Sequence, residues 1–140
     1  IMATTTAAVT LTSDLLSDTM SVTSSTTCMK AGTSADGLTQ MDMGYIEVVT
    51  GTNFDLLDAE NDLLVNKANK VLIANESTDE TYYTIVTLDA QVIGRLYAGD
   101  WMFIPWSAED ATADIEVQAY GGTNKLSYVL FHEGRTLTSA

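Results

Sequence analysis

KVLIANESTDETYYTIVTLDAQVIGRLYAGDWMFIPWSAEDATADIEVQAYGGTNKLSYVLFHE, from Lys70 to Glu133, carries the strongest structural signal in the chain. It reads as short strands in a row, separated by turns. Val71-Leu72-Ile73-Ala74-Asn75 is a near-continuous apolar run, the pattern of a strand covered on both faces. Tyr82 to Thr87 is rich in β-branched and aromatic residues, and Leu88-Asp89-Ala90 turns the chain. Gln91 to Tyr97 returns, with a bulge expected at Gly94. Trp101-Met102-Phe103-Ile104 follows, and Pro105 ends it because proline has no N–H for a ladder. In Ala113 to Tyr120 the period is two: Ile115, Val117 and Ala119 share one face, and Glu116, Gln118 and Tyr120 the other. Gly121 to Asn124 turns the chain into a last strand, Leu126 to His132.

Upstream, the signals are shorter. Tyr45 to Thr50 is a strand by its β-branched content, preceded by a loop from Gly32 to Gly44. Phe54 to Leu57 is ambiguous, and Leu63 to Asn66 fits either a strand or a helical turn. The first thirty-odd residues are rich in Ser and Thr and read as an extended arm. Ala8 to Thr12 and Met20 to Thr23 alternate within it as two short strands, with a helical turn capped by Ser13 as the alternative. The expected organisation is an arm over 1–35 and one domain over 36–140. Strands every ten or so residues without helical periodicity predict an all-β protein, an antiparallel sandwich or jelly roll.

The chain has 140 residues, enough for one domain with a real core. Lys and Arg number 6 against 19 Asp and Glu, a net charge of −13. Such a surface repels phosphate backbones, so nucleic acid is not expected as a partner. No run approaches the roughly 20 apolar residues of a membrane helix, and no signal peptide or membrane partner is expected. Cys28 is the only cysteine, which excludes an intrachain disulfide and reads as a small apolar residue.

Catalytic and metal-binding patterns are weak. Asp58, Glu60 and Asp62 open like a calcium loop, but Leu63 and Asn69 stand where glycine and a carboxylate are needed. His132 is the only histidine, too few for a histidine metal site, and reads as structural. No nucleophile elbow or phosphate loop is present. Neither a cofactor nor a catalytic residue is expected. Asn75-Glu76-Ser77 matches a glycosylation sequon that only a secreted chain would use. Trp101, Phe103, Trp106, Tyr97, Tyr82, Tyr83 and Tyr120 concentrate aromatic surface. They suit core and rim packing, or else an interface or a sugar-stacking face. Trp101 and Phe103 share one side of their strand and Met102 and Ile104 the other, so that strand is apolar on both faces.

The succession Ile73-Ala74-Asn75, Tyr83-Thr84-Ile85-Val86, Leu96 to Asp100, Ile104-Pro105, Asp114 to Ala119 and the closing Leu-x-Tyr-x-Leu-Phe strand resembles small β-sandwich virion proteins of tailed bacteriophages. These include capsid decoration, or cement, proteins and related head and tail accessory proteins. The match is one of strands and turns over under half the chain. The resemblance implies a structural protein on the capsid surface, made in the host cytoplasm. It would be a homo-oligomer, a trimer, contacting the major capsid protein. It further implies contacts through the arm (Val9, Leu11, Leu15, Leu16, Met20 and Val22) and through Trp101, Phe103 and Trp106.

Overall fold

The computed structural model describes residues 5–13, 20–28, 40–59, 69–106 and 112–132. Among them are ten strands: β1 Thr5–Ser13, β2 Met20–Cys28, β3 Gln40–Val48, β4 Asn53–Leu57, β5 Asn69–Asn75, β6 Tyr83–Leu88, β7 Gln91–Tyr97, β8 Trp101–Pro105, β9 Ile115–Tyr120 and β10 Asn124–His132. β1 and β2 pair antiparallel as a sheet of two, with Thr5 opposite Cys28 and Ser13 opposite Met20. The other eight make two four-stranded sheets, ordered β3-β10-β5-β8 and β4-β9-β6-β7. Every strand pair is antiparallel. The chain is all-β, as its periodicity predicts.

Four of the pairings are nested: β6 with β7, β5 with β8, β4 with β9 and β3 with β10. The chain from β3 to β10 is therefore one long antiparallel ribbon. It folds over so that alternate segments fall in opposite sheets, and β10–β5 and β9–β6 ladders close the two sheets. This winding is that of a jelly roll. The tip of the ribbon is the two-residue turn Asp89-Ala90, in which both residues have positive φ, 49° and 61°. A two-residue turn with both centres left-handed matches the twist of the flanking strands. The bulge expected at Gly94 is present: the β6–β7 register shifts between Val86, opposite Gly94, and Thr87, opposite Val92.

Between the sheets lies one core. Val48, Val71, Ile73, Leu126 and Leu130 enter from the first sheet, and Leu57, Val86, Leu96, Ile115, Val117 and Ala119 from the second. Each large apolar side chain so buried contributes about 1.5–3 kcal/mol. Two buried asparagines tie the sheets at one end. Asn75 Nδ2 on β5 donates to the Leu96 carbonyl on β7 at 3.0 Å. Asn124 Nδ2 on β10 donates to the Tyr83 carbonyl at 2.6 Å and to Thr84 Oγ1 at 2.8 Å, both on β6. Asn75 is thus committed to the core, so its sequon offers no accessible acceptor.

β3 starts earlier than its composition indicates. Gln40 to Gly44, expected as loop, are strand because they pair with His132 to Tyr128 of β10. The Tyr128 ring lies over Gly44, so a Cβ there would force that ring aside. Phe54 to Leu57 resolves as strand β4, and Leu63 to Asn66 lie outside the described residues.

Ala90 is the strained point of the ribbon tip, because a side chain at positive φ costs about 1–2 kcal/mol. Ala90→Gly is expected to stabilise the fold by about 1 kcal/mol in urea or thermal unfolding, despite glycine's entropy cost. A loss of stability would show that the turn does not hold this geometry.

Candidate interaction surface

Alternation puts Val71 and Ile73 of β5 inward, so Lys70, Leu72 and Ala74 face outward. The ladder registers extend this outer face across the first sheet in three rows. Met43, Val129, Leu72 and Phe103 form the middle row. Tyr45, Ser127, Ala74 and Trp101 form the next, and Met41, Phe131, Lys70 and Pro105 the third. The rows are predominantly apolar from edge to edge. Met43 is 69% exposed, Tyr45 59% and Trp101 52%. Phe103 and Phe131 meet edge-on, with ring centroids 6.4 Å apart, and are half-buried by their neighbours alone. The face is a contiguous exposed apolar patch, the kind of surface at which protein contacts concentrate.

The sequence candidates fall in several places. Trp101 and Phe103 stand on this face. Trp106 does not: it is 2% exposed and belongs to the core. Its Nε1 donates to the Ala113 carbonyl at 2.8 Å, and its backbone N–H to the Asn69 carbonyl at 3.0 Å. Its interface assignment is therefore corrected; the ring closes the end of the sandwich where β8 leaves the first sheet. Val9 is half-buried and Leu11 55% exposed on β1. Met20 and Val22 are strand residues of β2, and Leu15 and Leu16 lie outside the described residues. The methionines of β3 and the outward residues of β10, Val129 and Phe131, complete the face. Sequence reasoning missed them as contacts; two apolar residues at spacing two, Met41 and Met43, were the available signal.

The remaining aromatics form a separate group. Tyr120, Tyr83 and Tyr97 line up across the outer face of the second sheet. Tyr83 stacks on Tyr120 at 5.0 Å and 10°, and the Arg95 guanidinium sits 4.3 Å above the Tyr83 ring. The rings are turned to one another and hold that sheet together as a cross-strand ladder. Beside them Asp55 and Glu116 stand directly opposite in the β4–β9 ladder, and Asn53 Nδ2 donates to Glu116 Oε2 at 2.6 Å. Partial desolvation, then the hydrogen bond and charge of Glu116, raise the Asp55 pKa.

A cleft of about 300 Å³ lies at one end of the apolar face, lined by Tyr45, Glu76, Asp79, Tyr82, Thr123 and Lys125 among others. His132 is buried, with Nε2 3.0 Å from Asp42 Oδ2, which ties the end of β10 to β3. Among the described residues no three His, Cys, Asp or Glu side chains are grouped to hold a metal ion. No protein-family model and no curated protein matches this chain.

Two substitutions separate core from surface. Trp106→Ala is expected to cost about 3–5 kcal/mol in chemical denaturation. Trp101→Ala is expected to stay within about 0.5 kcal/mol of the dilute parent chain. Equal losses would contradict this placement. Asp55, with a raised folded pKa, favours the folded state only when protonated, so its contribution is lost as pH rises through that pKa. Asp55→Asn is therefore expected to stabilise slightly at neutral pH, by at most about 0.5 kcal/mol because the pair is exposed and screened by solvent. The gain should fade in acid, as followed by thermal midpoints across pH.

Proposed function

We propose that this chain is a structural protein of a tailed-bacteriophage virion, a decoration subunit that stabilises the head shell. It acts by burying surface and not by turning over a substrate. The observation that carries the reading is the apolar outer face of the β3-β10-β5-β8 sheet. Nothing in the chemistry of that face suits a reaction, whereas methionine and aromatic side chains with charge at the margins suit a protein contact. The jelly-roll winding agrees with this use, being common in viral capsid proteins, though lectins and cupins share it. The succession of strands and turns resembling phage decoration proteins supplies the virion.

In this reading the subunits sit on the capsid surface over junctions of the major capsid protein. Each junction would bury roughly 800 Å² per partner. The arm over 1–35 adds reach: a segment that docks on a neighbour wraps more surface than a flat face can. Binding the assembled shell and not its dissociated subunits raises shell stability by mass action.

A second reading, a carbohydrate- or receptor-binding module, draws on the cleft at the end of the face. There Tyr45 and Tyr82 flank carboxylate, hydroxyl and ammonium groups. Binding to a broad glycan array, lost on Tyr82→Ala, would favour it over decoration.

The virion reading is tested on native particles. Antibody against this chain is expected to label heads in electron micrographs, and stripped shells to rebind the purified protein. Deleting residues 2–30 is expected to weaken rebinding. Label absent from every part of the particle would overturn the proposal.

A further inference from the structure

We infer that the outer face of the β3-β10-β5-β8 sheet is covered by the same face of a second copy of this chain. The inference rests on reading that face as the working surface. It names the molecule that lies against it.

Charge selects the occupant. With a net charge of −13, two copies repel each other over most of their surface. Among the described residues, Asp55, Asp58, Asp89, Asp114 and Glu116 belong to the second sheet or its turns, while Asp42, Glu47, Glu76, Asp79, Glu80 and Asp100 lie on β3 or in the loops at the ends of the first sheet's strands. The first sheet's outer face is different. Its two central rows, from Met43 to Phe103 and from Tyr45 to Trp101, carry no charge. Glu47 and Lys125 stand opposite each other at one end of the strands, where Ser127 Oγ also donates to Glu76 Oε1 at 2.8 Å. Lys70 stands at the other end. Two of the described basic residues, Lys70 and Lys125, are thus on this face. A second copy meets an uncharged centre and mixed-sign margins here. A basic partner would find its complement on the acidic surfaces instead.

Shape and size agree. Two sheets of identical twist can pack face to face about 10 Å apart with strands within about 30° of each other, their side chains interdigitating. The two-fold axis of such a pair, set parallel to the strands, reverses strand order. β3 of one copy then lies over β8 of its partner. Met43 then meets Phe103, a favourable sulfur–ring contact, while Tyr45 meets Trp101 and Met41 meets Pro105. Four strands about 4.8 Å apart, the longest of nine residues at about 3.4 Å each, give a footprint of at most about 600 Å² in plan. That is near the roughly 800 Å² per partner of a standard specific interface, before side-chain relief is added. The resulting contact is two-fold, unlike the trimer that the resemblance implies.

The test is sedimentation velocity on the full chain, with cysteine cross-linking. The parent chain is expected to sediment as a dimer in the micromolar range. Met43→Asp and Phe103→Asp, both at outward positions, are expected to give monomers with unchanged circular dichroism, and Met43→Leu to remain dimeric. In a Cys28→Ser background, mixed Met43→Cys and Phe103→Cys chains are expected to cross-link on oxidation while neither does so alone. A monomeric or trimeric parent, or cross-linking of each variant only with itself, would overturn the inference. A monomer that still rebinds stripped shells through this face would sink the self-pairing and leave the decoration reading standing. A dimer ignored by shells would do the reverse.

Discussion

One register governs this molecule. The ribbon from β3 to β10 pairs with itself about the Asp89-Ala90 tip, and each ladder inherits its alignment from that turn. Because side chains alternate strictly, a slip of one residue would turn Val71 and Ile73 outward and Lys70 and Leu72 inward. The core, the tyrosine ladder and the apolar outer face would all be lost together. The strained turn residues persist because the flanking pairs over-determine them. The buried asparagines add a second lock, since Asn75 and Asn124 reach their partners on the opposite sheet only in this alignment. Unpaired, each would leave polar atoms stranded in the core, at about 1–3 kcal/mol per group.

The two sheets are unequal, and the inequality organises the surface. The second sheet is more mixed, with exposed Phe54, Val92, Ile93 and Tyr97 standing among charged and polar residues. Its inner residues, Ile115, Val117 and Ala119, are fully buried, and its outer positions carry Glu116, Gln118 and Tyr120. The first sheet is apolar on both sides. Its β5 has Val71 and Ile73 inside and Leu72 and Ala74 outside, and its β8 has Met102 and Ile104 inside and Trp101 and Phe103 outside. A sheet built this way is apolar on the side that faces solvent as well as on the side that faces the core.

Much of this was legible because period and composition are local properties. The alternation of β9 and the two-sided character of β5 and β8 follow from side-chain order alone. The missed features depend on partners far away in the chain. Gln40 to Gly44 lacks β-branched residues and is strand only because β10 lies alongside it. Asn75 and Asn124 look like turn punctuation at strand ends, yet their amides are the ties between sheets. Trp106 resembles Trp101 in every property a sequence records. One lies buried at the sandwich end and the other stands on a free edge strand, which the ladder order alone decides. The aromatic concentration divides likewise into core, ladder, cleft and face, four roles that composition merges into one.

The excess negative charge and the apolar face belong together. An exposed face with Met43, Tyr45, Trp101 and Phe103 would make a neutral chain prone to indiscriminate association. Net charge spread over the remaining surface opposes contact in every other orientation. Apolar surface is concentrated on one sheet face, although single residues such as Leu11, Phe54 and Val92 are exposed elsewhere. Because apolar burial is nondirectional, the selectivity of a contact through that face comes from the charges that surround it. The acidic composition that disfavours phosphate backbones also disfavours contact between copies through their charged surfaces.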